Sequence, residues 1–108
     1  MLTSVQSDET LAAVLRVLGD PLRLRIVSLL AREQLCTCHL VAETGARQTN
    51  VSNHLRTLRE AGLVEAEPAG RYTYYRLVPA ALDALAASVG GLAEGARSTS
   101  DVRRPACD

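Results

Sequence analysis

Phenylalanine, tryptophan and lysine do not occur in the 108 residues, and the only aromatic side chains apart from histidine are Tyr72, Tyr74 and Tyr75. A core must therefore be assembled from Leu, Val, Ile and Ala, and a chain of this length makes one modest domain. With no lysine, all twelve basic positions are arginine. Guanidinium meets phosphate and guanine bidentately better than ammonium does, although a GC-rich genome produces the same bias and is the weightier explanation. The formal net charge is zero, so any binding of a polyanion has to come from local clustering of charge. The longest apolar runs fall far short of the roughly 18 residues of a membrane span. The start, MLTSVQSDET, has neither a basic flank nor an apolar signal core. A cytoplasmic protein without a membrane partner is expected. Three cysteines, an odd number, argue against a disulfide scaffold in a reducing compartment and for structural, reactive or metal-binding thiols. With two histidines, His39 and His54, no clustered carboxylates and no Gly-rich phosphate loop, catalytic machinery is hard to assemble and no enzyme is expected.

What is present is mostly helical. Ser7 or Asp8 can cap a first helix carrying Leu11, Val14, Leu15 and Leu18 at helical spacing up to Gly19. Asp20 and Pro21 look like a cap and first-turn proline for a second helix, Pro21 to Arg32, with Leu22, Ile26, Leu29 and Leu30 inward. A short third helix is expected from Leu35 to Thr44, ended by Gly45, and a fourth through RQTNVSNHLRTLREAG with Val51, Leu55 and Leu58 inward, closing at Gly62. Two helices joined by a short Gly-containing turn form a helix-turn-helix, with an ordinary bundle as the alternative. LVEAE and RYTYYRLV, around Pro68, Ala69 and Gly70, then read as two strands of a hairpin. A last helix runs from Pro79 to about Ala93, weakened near its end by Gly90 and Gly91. The expected fold is thus mainly α with a β-hairpin wing, an α+β winged helix-turn-helix in the order ααααββα. Residues 1–95 form the domain, and 96–108 a mobile, polar and prolyl tail carrying Cys107.

The exposed face of the fourth helix carries Arg47, Gln48, Thr49, Asn50, Ser52, Asn53, His54 and Arg56. Gln and Asn pair bidentately with adenine, Arg with guanine, and Ser or Thr with phosphate, so the chemistry suits a major-groove helix; a merely solvated helix face has the same polarity. Arg71, just past the hairpin turn, is placed for a backbone phosphate or the minor groove, or is an ordinary exposed arginine.

LGDPLRLRIVSLL, LCTCHLVAETG and TNVSNHLRTLREAGLVEAEPAGRYTYYRL together resemble the ArsR/SmtB family of metal-responsive winged-helix repressors over residues 11 to 95. The resemblance implies a homodimer built on the first and last helices and bound to a pseudo-palindromic double-stranded operator. It also implies a choice of sensor sites. The zinc type uses Asp and His on the last helix, which here offers Asp83 and Glu94 but no histidine, and is rejected. The arsenic and cadmium/lead types use a Cys-x-Cys in the third helix, matching Cys36 and Cys38. The third cysteine of many arsenic members falls on Val41, which leaves Cys107 either as a recruited ligand or as an unengaged thiol. No cysteine precedes Cys36 to supply the cadmium type's N-terminal ligands.

Thiolates are the soft donors that trivalent arsenic and antimony prefer, and two or three suffice for As(III), whereas cadmium usually takes about four donors. As(III), or Sb(III), is therefore the expected inducer, releasing the repressor from an arsenic-resistance operon. His39 could donate a fourth ligand to a divalent metal, but it replaces an acidic residue common in relatives and reads more readily as a solvent-facing first-turn residue. On a regular helix Cys36 and Cys38 would point roughly 200° apart, so ligand binding is expected to unwind the first turn of the third helix and disturb its partner, with a typical coupling of about 1–3 kcal/mol. The alternatives are a cadmium/lead-responsive repressor, a persulfide or oxidant sensor, disfavoured because a close Cys-x-Cys is awkward for a disulfide, and a metal buffer that does not bind DNA. A thiol enzyme would want a C-x-x-C or an activating Arg at a strand end, and neither is seen.

Overall fold

The computed structural model describes residues 7–104 as α1 (Asp8–Leu18), α2 (Pro21–Leu30), β1 (Leu35–Cys36), α3 (Thr37–Thr44), α4 (Gln48–Glu60), β2 (Val64–Ala69), β3 (Tyr72–Leu77) and α5 (Pro79–Ser98). Local chemistry sets most boundaries. Ser7 Oγ accepts the Thr10 amide at 3.1 Å and caps α1. Asp20 Oδ1 accepts the amides of Leu22 and Arg23 at 2.9 and 3.1 Å, while Pro21 occupies the first turn of α2, where its missing N–H costs nothing. Gly45 ends α3 with φ 74°, a left-handed conformation open to glycine.

The sheet has the order β1-β3-β2, both pairs antiparallel. The β2–β3 hairpin is tighter than its composition suggests. Pro68 and Ala69 lie within β2, paired with Thr73 and Tyr72, and only Gly70 (φ 65°) and Arg71 make the turn. Pro68 is tolerated because β2 is an edge strand, where a missing donor need not break a ladder.

Ile26, Leu40, Val51, Leu55, Leu58 and Leu63 are the most deeply buried side chains, so the core lies where α2, α3 and α4 meet the base of the wing. The inward positions expected for α4 are all buried, as are Ile26, Leu29 and Leu30 of α2.

Three expectations are corrected. Leu35 and Cys36 are not helical but form β1, paired with Tyr75 and Tyr74 of β3, which makes the wing three-stranded. Two residues are too few for a periodic signal, and their pairing partner lies about forty positions away. Helix α2 stops at Leu30, two residues short of Arg32. Helix α5 continues through Gly90, Gly91 and Gly95 to Ser98, beyond the end expected near Ala93. Each glycine costs about 1 kcal/mol in a helix interior, but the surrounding Ala, Leu, Glu and Arg are strong helix formers. The first helix also departs from a simple inward stripe: none of its residues is fully buried, and Leu15 stays 45% exposed. Cys107 lies outside the described residues.

Candidate DNA-binding face and thiol cluster

Helix α4 begins at Gln48 after Arg47, an N-cap whose own side chain makes no capping bond. The free amides and unengaged side chains of that first turn point to solvent. Arg47, Gln48, Thr49, Asn50, Asn53 and Arg56 are exposed and Ser52 is half-buried, so seven of the eight polar residues expected on this face are reachable. The eighth, His54, is turned the other way. Its side chain is 17% exposed, its Nδ1 lies 2.8 Å from Arg23 Nη1, and its Nε2 sits 3.9 Å from Asp20 Oδ1. Arg23 also donates from Nε to the Val17 carbonyl at 2.6 Å. His54 therefore fastens α4 to the α1–α2 corner. The expectation that it lies on the exposed face is corrected, because helical rotation from Val51 and Leu55 carries it toward α2. In the same corner the Asp20 carboxyl is held below its usual pKa, chiefly by the Arg23 amide, with the His54 and Arg23 side chains acting in the same direction against a desolvation cost.

Arg71 is exposed at the hairpin tip. The wing's other arginine, Arg76, is engaged by Glu65 at 2.8 Å and Glu67 at 2.5 Å, and those bonds, Glu67 first, raise its pKa. Arg71 is thus the hairpin arginine that carries charge outward.

The cysteine pair sits at a joint. Cys36 ends β1 with an extended backbone (φ −87°, ψ 170°) and is the N-cap of α3, while Cys38 occupies that helix's first turn. Leaving the helix at Cys36 removes the roughly 200° separation of a regular helix. The two sulfurs meet, paired as a disulfide, with Cα atoms 5.4 Å apart. The premise that both cysteines lie on one regular helix is therefore corrected.

Cys36 is 3% exposed, and Cys38 is exposed. His39 Nδ1 accepts the Cys36 amide at 3.3 Å, the backward half of a capping box, and stands 3.3 Å from Cys36 Sγ. One ligand atom from each of Cys36, Cys38 and His39 lies within 4.8 Å of the others. His39, expected as a solvent-facing first-turn residue, is exposed and also turns its Nδ1 to the Cys36 amide.

A helix pair whose second helix presents Gln, Asn and Arg beside an arginine-tipped hairpin is the arrangement of a winged helix-turn-helix protein. Residues 20–66 match the family of bacterial regulatory proteins called the arsR family. The chain is 40% identical over 74 residues to a transcriptional repressor SmtB homolog of Synechocystis, covering 68% of this chain and 56% of that protein. It is 42% identical over 67 residues to the arsenic resistance transcriptional regulator ArsR1 of Pseudomonas putida, covering 61% and 52%. The solved structure of an ArsR-like transcriptional regulator from Rhodococcus sp. RHA1 superposes with a TM-score of 0.74 at 30% identity, over 82% of this chain and 85% of that one. The chain spans little more than half the length of the two curated relatives. It belongs to the arsR family.

Proposed function

We propose that the chain is a DNA-binding transcriptional repressor of an arsenic-resistance operon, released from its operator when As(III), or Sb(III), binds thiolates of Cys36 and Cys38, with Cys107 as a candidate third donor. The observation that carries the reading is the position of the pair. Cys36 is hydrogen-bonded through β1 into β3, the second strand of the wing, and Cys38 belongs to α3, which packs on α4. A ligand drawn between the sulfurs therefore pulls on both DNA-facing elements at once, without unwinding a helix. Contact with the operator falls to Arg47, Gln48, Thr49, Asn50, Ser52, Asn53 and Arg56 in the major groove and Arg71 at the wing. His54 acts from behind, by holding α4. The arsenic assignment is supported by the thiol chemistry and by the resemblance to an arsenic resistance regulator.

Two copies, joined through α1 and α5, would present two α4 helices to successive major grooves. No described helix is long and apolar enough to cross a membrane, in keeping with a cytoplasmic site of action.

The test is fluorescence anisotropy of the reduced protein on DNA from upstream of its own gene, titrated with arsenite, cadmium and zinc. Release by arsenite that is abolished by Cys36→Ser and by Cys38→Ser supports the reading, and the Cys107→Ser variant decides the third donor. Release that survives both substitutions, or no operator binding, sinks it.

The pairing of the sulfurs favours one second reading, a repressor of the same fold that senses oxidants. Each turn of that switch removes two electrons and two protons from the thiols and passes them to an oxidant such as a peroxide. Release by peroxide, reversed by a dithiol and indifferent to arsenite, would select it.

A further inference from the structure

We infer that the neutral imidazole of His54 is a positioning residue for base reading: by accepting from Arg23 it sets how far α4 is turned about its own axis, and a second proton on the ring releases that setting. This rests on reading α4 as the helix that enters the operator's major groove. It gives that helix a residue that governs specificity without touching DNA.

The tautomer follows from the partners. A guanidinium carries donors only, so His54 Nδ1, 2.8 Å from Arg23 Nη1, is the acceptor, and the ring proton sits on Nε2, which faces Asp20 Oδ1 at 3.9 Å. Arg23 is itself fixed twice, its Nε donating to the Val17 carbonyl at 2.6 Å and its amide to Asp20 Oδ1 at 3.1 Å. One linkage thus runs from the end of α1 through α2 to the middle of α4. Beside His54 on α4, Val51, Leu55 and Leu58 are 0–1% exposed and seat the helix in the core. Apolar contact is non-directional, which leaves the directional bond to Arg23 to fix the turn.

A small turn matters because of the helix's width. Side-chain tips stand roughly 5–6 Å from a helix axis, so a rotation of about 10° moves the exposed Gln48, Asn53 and Arg56 by about 1 Å. A base contact of about 2.9 Å does not survive such a shift, whereas the attraction of an arginine to a phosphate falls only with the inverse of distance. Loss of the setting therefore costs base discrimination first and general DNA affinity little.

A proton added at Nδ1 meets the Arg23 guanidinium and removes the acceptor, while Asp20 attracts the imidazolium from the Nε2 side. The ring is then drawn from Arg23 toward Asp20. Those two are the charged groups that face it, from α2 and from the α1–α2 corner. The end of α1 brings the Val17 carbonyl, and the neighbours one turn away on α4, Asn50, Val51, Thr57 and Leu58, are uncharged. Among the described residues no charged group of α3 or β2 is paired with the ring.

The experiment measures fluorescence anisotropy of the full, reduced chain on operator DNA from upstream of its own gene and on random-sequence DNA, between about pH 8 and about pH 5, where histidine changes charge. His54→Leu removes the acceptor, and His54→Asn places an amide oxygen where Nδ1 stood and does not titrate. One bidentate base contact contributes about 5- to 150-fold in discrimination, so His54→Leu is expected to lower the operator-to-random ratio at the alkaline end by at least about 5-fold. Affinity for random DNA, carried by phosphate contacts, should change by less than about twofold. His54→Asn should keep the ratio across the range, while the wild type keeps it at the alkaline end and loses it toward the acid end. Arg23→Met should lower the ratio as His54→Leu does, and the double variant no further, because both remove one bond. Circular dichroism checks each fold; if His54→Leu is unfolded, His54→Asn and Arg23→Met decide. Equal losses on the two DNAs, or an acid loss shared by His54→Asn, overturn the inference. A wild type that prefers no operator sinks the repressor reading and this inference with it, whereas an operator preference that survives in His54→Leu and Arg23→Met sinks this inference alone.

Discussion

Leu55 is 1% exposed at the centre of the α2–α3–α4 core, and its replacement shows how thin the margin of such a small domain is. Leu→Ala at a fully buried site costs about 2–5 kcal/mol against a total stability of about 5–15. Leu55→Ala is therefore expected to lower the urea midpoint substantially, with m unchanged if the transition remains two-state; a midpoint shift within error would mean that the core is centred elsewhere. Arg71 makes no core contact, and its expected effect is of another kind. Arg71→Ala should leave the unfolding midpoint in place and weaken operator and random-sequence DNA by the same factor, lowering the slope of log K against log salt by about one. Unequal losses on the two DNAs would make Arg71 a reader of bases. Core positions such as Leu55 were legible in the sequence because helical spacing reports burial. The inward turn of His54 was not, since its partners Asp20 and Arg23 lie about thirty residues away and a polar residue beside a polar face looks exposed.

Elements with conventional caps were legible almost to the residue: Ser7 for α1, Asp20–Pro21 for α2 and Gly45 after α3. The element that was not, β1, is the one that carries Cys36, because its partner strand alone defines it. The same long-range logic makes Asp20 more than a cap. Its side chain accepts two amides of α2 and faces His54 of α4, and its carboxyl pKa lies below the ordinary 3.8. A lowered folded-state pKa means that the unfolded chain binds the proton more readily, so the charge stabilises the fold above about pH 3.8 and the contribution disappears as pH falls through the lower folded value. Asp20→Asn keeps a cap oxygen and removes the charge. The wild type should therefore melt higher than Asp20→Asn at pH 6, and the gap should close toward pH 3. A gap independent of pH would assign the effect to the cap hydrogen bonds alone.

At the scale of the molecule, the two terminal helices are what a monomer explains least. Helix α1 is amphipathic yet has no fully buried residue, and α5, twenty residues long, buries only Leu85. Leu15, Val89 and Leu92 remain 45%, 46% and 66% exposed. An amphipathic helix derives its stability from the surface its apolar stripe covers, and the dimer proposed above would cover α1 and α5 at once because a two-fold interface is self-complementary. It also answers the geometry of DNA, where two α4 helices must stand about 34–36 Å apart to enter successive major grooves. Leu92→Glu would set a carboxylate against its own symmetry mate or against apolar surface. On the proposed dimer, the wild type is expected to sediment as a dimer with a concentration-dependent melting temperature, and the variant to sediment as a monomer, to melt independently of concentration and to bind a two-half-site operator no better than a single half-site. Its Cys36–Cys38 pair lies far along the chain, at the β1–α3 joint, so arsenite binding per chain should be unchanged. A Leu92→Glu variant that stays dimeric with full operator affinity would mean that the exposed stripe of α5 is not the seam, and that another face brings the two recognition helices together.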